Sequence, residues 1–478
     1  MIGKKKIFDL ISVFFSSGVL LLSGIFTNLI VPKIMGIINY GYYKIFILYG
    51  TYIALTHLGI VDGVLLKYGG KRLNDDDLIN IRSYLKILLY FSFCVALIIS
   101  IVAVCFFDNF IRWILLFLGI QVIISNTFYY LQYLTQALMN FKLFSFFNII
   151  QALLNIGIVL VLYFSQKVKY LNTLSYKAYI PIYLSVYLVV LLGYAYKLNP
   201  FIFGKVKPFS KINKDIFMLI KIGLPVTISY QVATLIFNMD NQFISIFFST
   251  VVFGLYSLAY SMVSVVTTIL NTISSVLFPS LNRESTNEVI ANYGKLTTYL
   301  LIIVYFMVTV YFPIELIVKI FLPKYIGALI YFKIVVPGVG ISTCISLIIF
   351  NYFKILGKGH VYFIYGCFVL IIAIIINSLT YFITRSAIAI AGVSLFILFI
   401  WYMLTNGYLV MRYRVACKKN TCYLILMLMI FELTVLLLKN VTAFIFIYSV
   451  IYAVVTILFY KKELNELKAK FKSNWGRL

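Results

Sequence analysis

Apolar runs long enough to cross a bilayer follow one another along almost the whole chain. The hydrocarbon core asks for about 20 such residues per helix. Fourteen segments qualify: 10–33, 42–66, 84–107, 113–138, 143–165, 177–198, 217–246, 252–279, 296–320, 326–355, 361–383, 387–411, 421–439 and 442–460. A chain that is 63% hydrophobic and 11% charged carries more apolar surface than a soluble fold can hide. The expected fold class is an all-α polytopic membrane protein. No polar stretch is long enough for a soluble domain. The first apolar run, from Leu10, lacks the small-residue cleavage site of a signal peptide.

The net charge of +26 would suggest a nucleic-acid partner in a soluble protein. Here the cations flank apolar segments, where they set orientation and meet anionic headgroups. No nucleic acid is expected, and the lipid bilayer is the first partner. With the N-terminus in the cytoplasm, 29 of the 40 Lys and Arg fall on the cytoplasmic side. Both termini are therefore expected inside. Six scattered cysteines match no paired-thiol or zinc spacing, and two distant histidines make no metal site. No cofactor is expected.

A repeat lies within this pattern. Residues 22–48 and 235–261 each read as a long apolar helix, a break, then Gly-x-Tyr opening the next helix. Gly41-Tyr42-Tyr43 falls on Gly254-Leu255-Tyr256, with Phe26 on Met239 and Thr27 on Asp240. Six helices precede the second unit. An even number makes the repeats parallel, related by an axis along the membrane normal. The expected organisation is a six-helix bundle at 1–198, a cytoplasmic linker at 199–216 and a second bundle at 217–411. An added helix pair at 412–460 and a basic tail at 461–478 complete it. Two facing halves that rock about a shared cavity describe a transporter.

The motifs resemble the MOP superfamily, which holds multidrug-and-toxin extruders and bacterial flippases for lipid-linked oligosaccharides. The resemblance rests on Gly223-Leu224-Pro225 opening helix 7, Asp240 late in it, and Gly254-Leu255-Tyr256-Ser257-Leu258-Ala259-Tyr260 opening helix 8. Pro32-Lys33-Ile34-Met35-Gly36 through Tyr43 is the first-half counterpart. Length, basicity and richness in Phe, Tyr, Ile and Lys look more like the O-antigen and capsule repeat-unit flippases. That resemblance implies translocation of an undecaprenyl-diphosphate-linked oligosaccharide across the bacterial cytoplasmic membrane by alternating access. It also implies use of the product outside by a polymerase, with a chain-length regulator as a further partner.

A diphosphate-sugar headgroup cannot cross hydrocarbon unaided. Its carrier needs cations for phosphate and polar side chains for sugar, and charges within membrane helices are the first candidates. These are Lys33, Asp62, Asp240, Lys333 and Lys354, joined by Asn28 and Gln242 among the uncharged polar residues. Snorkelling to the interface competes as a reading of Lys33 and Lys354. A structural salt bridge competes for the two aspartates, and interhelical hydrogen bonding for Asn28, Gln242, Asn126 and Asn271. Glu432, outside the repeat, suits a local partner. Gly294-Lys295 lacks the rest of a P-loop, so an ion gradient rather than ATP is the expected drive. A multidrug extruder of the same fold is the alternative, although 14 acids against 40 bases disfavour it. A polytopic glycan polymerase would need a sizeable external loop. The longest here is about 11 residues at 166–176, so no enzyme is expected.

Overall fold

The computed structural model describes the backbone of residues 4–71, 73–167, 173–281, 286–437 and 441–475. Side chains are described over 12–71, 73–166, 173–267, 270, 287–437 and 444–466. Asn271 and the expected Lys439-Asn440 punctuation lie outside these ranges. Among the described residues the protein is all-helical with no strand, and it forms two compact units, Met1–Ser257 and Leu258–Leu478. It is a multi-pass membrane protein. Among the described residues thirteen helical segments are long and apolar enough to span a bilayer.

The first unit contains α1 (Lys4–Gly50), α2 (Ile60–Tyr68), α3 (Asp75–Phe106), α4 (Asn109–Ala137), α5 (Phe141–Lys167), α6 (Tyr176–Lys197), α7 (Asn199–Ile202), α8 (Phe209–Phe237) and α9 (Met239–Phe247). α10 (Thr250–Leu281) begins there. The count of thirteen rather than fourteen comes from α1. Its backbone leaves helical geometry at Gly36, with φ 71° and ψ 168°, a conformation open to glycine and costly for other residues. Lys44 Nζ nevertheless donates to Asn28 Oδ1 at 3.4 Å. Sixteen residues of straight helix would hold them about 24 Å apart, so the chain reverses at Gly36. α1 is two arms of a hairpin, and the fourteen expected segments are accounted for.

In the first unit two expected helices are broken. The segment expected at 217–246 divides into α8 and α9 at Asn238, whose side-chain amide donates to Thr234 O at 2.9 Å. Asparagine competes in this way with the helical ladder. The second arm of the α1 hairpin stops at Gly50, passes through a 3-10 turn at Ile53–His57 and resumes as α2.

Lipid tails are as apolar as leucine, so helices in a membrane associate through close packing and hydrogen bonds. Glycines supply the close packing here. A Cβ on Gly223 of α8 would overlap the Gly59 carbonyl and lie 2.6 Å from Gly63 N. One on Gly63 would lie 2.6 Å from Leu219 O. Gly41 and Gly254, the anchors of the repeat, touch one another. A Cβ on Gly41 would lie 2.5 Å from Thr250 O, and one on Gly254 would lie 2.6 Å from Ile37 O and 3.4 Å from Gly41 Cα. α8 and α9 thus pack within the first unit, which ends at Ser257.

The second unit contains α11 (Thr286–Met307), α12 (Tyr311–Phe321), α13 (Ala328–Val335), α14 (Val339–Thr343), α15 (Phe350–Ile355), α16 (Gly359–Thr384), α17 (Ala387–Tyr413), α18 (Lys418–Leu437) and α19 (Val441–Trp475). The expected 326–355 helix is interrupted: Pro337 sits in a 3-10 turn and residues 344–349 form a π-helical turn. Aromatic rings fill the interior, with Tyr311 stacked on Phe332 at 5.1 Å and Phe444 on Tyr448 at 6.2 Å. Asn420 accepts from Thr298 and Tyr460 and donates to Gly294 O at 2.7 Å. Gly294-Lys295 therefore lies inside a packed helix.

Candidate functional site

The break between Gly50 and Ile60 concentrates polar chemistry in the first unit. Leu58 and Gly59 adopt left-handed backbone conformations, at φ 49° and 78°. Backbone that leaves the helix inside a membrane must be satisfied by neighbouring protein. Gln231 of α8 donates to Thr51 O at 3.2 Å. Asn126 of α4 is fully buried and donates to Thr56 Oγ1 at 3.0 Å and to Ser92 Oγ at 2.9 Å. The Gly59 amide donates to Nδ1 of buried His57 at 3.2 Å. In membrane transporters such interrupted helices commonly form substrate and ion sites.

Three of the seven residues singled out in the sequence lie in or near this break, and Asn28 lies on the first arm of α1. Gln242 of α9 donates to Tyr52 Oη at 2.7 Å. Asp62, half-buried in the first turn of α2, accepts from Thr227 Oγ1 of α8 at 2.5 Å. Asp240, on α9 with Gln242, is 2% exposed and accepts from Tyr256 Oη at 2.5 Å and from the Asn241 amide at 2.7 Å. Asn28 holds Lys44.

The other three are placed differently. Lys33 is exposed near the Gly36 reversal, 6.0 Å from the Tyr163 ring. Lys333 of α13 and Lys354 of α15 belong to the second unit. Lys333 is half-buried, and Lys354 is exposed with its ammonium 4.0 Å over Phe350. Glu432 is half-buried on α18.

Lys44 was missed. Near the start of an expected helix, it reads as an interfacial flank and counts among the outer-side cations. The reversal at Gly36 instead folds it back against the first arm. It is half-buried, bonded to Asn28, with the Tyr40 and Tyr43 rings at 5.3 and 5.9 Å. No acid lies within ion-pair distance of it among the described residues. The legible signal was its place just after the repeated glycine. Lys44 lies on the arm that leads into the break, between one and two helical turns before that arm ends at Gly50. Arm and break together offer one cation, phenol rings, amides and two carboxylates. No group of histidine, cysteine and acid among the described residues could hold a metal ion.

Interrupted spanning helices with polar groups at the breaks are a feature that secondary transporters share. No family model and no curated protein matches the sequence. Solved structures match the fold. A crystal structure of a MATE protein carrying a point substitution aligns at TM-score 0.55 and 12% identity, covering 85% of this chain and 94% of that one. An inward-facing multidrug resistance MATE transporter of the MOP superfamily aligns at 0.53 and 13%, covering 84% and 94%. The MATE transporter ClbM in complex with Rb+ aligns at 0.52 and 13%, with the same coverage. The protein has a MATE-like fold, and these structural neighbours are transporters.

Proposed function

We propose that the protein is a flippase. It moves an undecaprenyl-diphosphate-linked oligosaccharide repeat unit across the bacterial cytoplasmic membrane by ion-gradient-coupled alternating access, for synthesis of O-antigen or capsule. In this reading both termini are cytoplasmic, 1–198 and 217–411 are the alternating halves, and a polymerase with its chain-length regulator receives the product. The observation that carries the proposal is Lys44. A cation within membrane helices is costly, and such residues mark substrate or ion pathways by default. Lys44 is held by a neutral amide between phenol rings, so its charge stays available to an anion. Asn28, Gln242, Tyr52 and the carboxylates of Asp62 and Asp240 would face sugar hydroxyls and the coupling ion. Lys33, Lys333 and Lys354 supply further cations along the chain.

Multidrug extrusion is the second reading. It draws support from the inward-facing neighbour, which is a multidrug resistance transporter, and from two carboxylates in membrane arms. Deleting the gene separates the two. The flippase reading expects lipid-linked repeat units stranded on the cytoplasmic leaflet and loss of surface polysaccharide. Intact surface polysaccharide with lost drug resistance would establish extrusion.

A further inference from the structure

The segment joining α6 to α8 is strapped onto the start of α3. Arg82 Nε donates to Pro200 O at 2.8 Å, the Lys207 amide donates to Ser83 Oγ at 2.8 Å, and Lys207 Nζ pairs with Asp76 at 2.7 Å. Gly204, at φ 134°, lets the Arg82 guanidinium lie against the backbone, where a Cβ would stand 2.6 Å from Nη1. The start of α3 is fixed too, by reciprocal hydrogen bonds between Asn74 and Asp77. Strap and helix enclose an open groove of about 490 Å³.

The groove is graded along its length. Ser83, Lys86 and Lys207 line one end, while Tyr90, Cys94 and Phe209 line the rest. From Ser83 to Cys94 is about 16 Å of helix, running from the basic membrane edge into the apolar span. Lys86 is exposed and makes no ion pair among the described residues. A cationic mouth over an apolar trough at the membrane edge is complementary to one molecule abundant there: a phospholipid with an anionic headgroup and an acyl chain. Water-soluble anions would have no use for the trough, and zwitterionic lipids gain nothing net from the cations. We propose that this groove is a binding site for an anionic phospholipid, which tethers the strap to α3.

Native mass spectrometry of the full-length protein in neutral detergent tests this, with phosphatidylglycerol or phosphatidylcholine of the same acyl chains as probes. Phosphatidylglycerol should be retained in preference. Lys86→Gln should weaken its retention about five-fold, near the worth of one lysine at an anionic surface. Cys94→Trp, at an exposed position, fills the trough and should weaken retention as well. The control Lys418→Gln, at an exposed lysine of the second unit, should change nothing. Equal retention of the two lipids, or equal loss in the Lys86 and Lys418 variants, overturns the proposal. Preferential retention of a polyprenyl diphosphate over phosphatidylglycerol would overturn it too, and would give the groove to the transported lipid.

Discussion

Gly223→Ala tests the claim that glycine contact, rather than hydrophobic burial, holds α8 against α2. The added Cβ would overlap the Gly59 carbonyl and sit 2.6 Å from Gly63 N. Ordinary contact begins at about 3.4 Å, so clearing the Gly59 carbonyl requires α2 and α8 to separate by more than about an ångström. Neither wall is a side-chain end that could rotate away, since both are backbone. Overpacking of this kind costs about 1–3 kcal/mol. In a unit of this size each kcal/mol lowers Tm by about 2–4 °C. Gly157→Ala in α5 is the matched control, because a Cβ there meets nothing within 4 Å. It should be neutral, or stabilising by up to about 1 kcal/mol through helix propensity. Thermal unfolding of the detergent-solubilised protein reads both. Equal Tm for the two variants would refute the close-packing account of the first unit.

Three further outcomes follow from the geometry. Gly41→Val and Gly254→Val should each destabilise by at least as much as Gly223→Ala, because each residue packs on the other's helix backbone; an unchanged Tm in either would contradict the observed contact. Thr227→Val should cost more than Asp62→Ala in the same assay. Thr227 keeps a second acceptor in Gly223 O at 3.2 Å, whereas the Asp62 carboxylate loses its hydroxyl donor when Thr227 goes; the reverse order would show that Asp62 is held by something else. Asp240→Asn and Tyr256→Phe should each cost about 1–3 kcal/mol, and the double variant less than their sum, since they share one bond; strict additivity would mean the bond contributes nothing.

Much of the fold was legible because membrane helices announce themselves by apolar length, and all fourteen arms could be read that way. Gly41 and Gly254 were legible as a repeat, but why they are glycine was not. They touch each other although far apart in sequence, and spacing alone cannot reveal a contact. The breaks at Asn238 and at Gly50–Ile60 escaped notice because apolar residues continue through them. Backbone that leaves the helix in the second break is satisfied by Gln231, and its Thr56 hydroxyl by Asn126, both distant in sequence. Asp62, Asp240, Asn28 and Gln242 stood out as polar groups in apolar runs, and each has a specific partner. Lys33 and Lys354 stood out by the same rule and are exposed at their positions. Lys44 was hidden because a lysine near a helix end looks interfacial until the chain reversal beside it is known.

The central claim is that this protein moves a lipid-linked oligosaccharide and that Lys44 receives the phosphate. Purified full-length protein in sealed liposomes, containing an undecaprenyl-diphosphate oligosaccharide in both leaflets, tests it directly. The readout is the fraction of sugar open to an impermeant glycosidase. With an ion gradient imposed, that fraction should rise from about one half towards completion. Lys44→Gln removes one charge-assisted contact worth about 1.5–3 kcal/mol and should slow the rise by about 10–100-fold, with Tm unchanged. A fraction that stays at one half while the same liposomes expel a cationic dye would contradict the account.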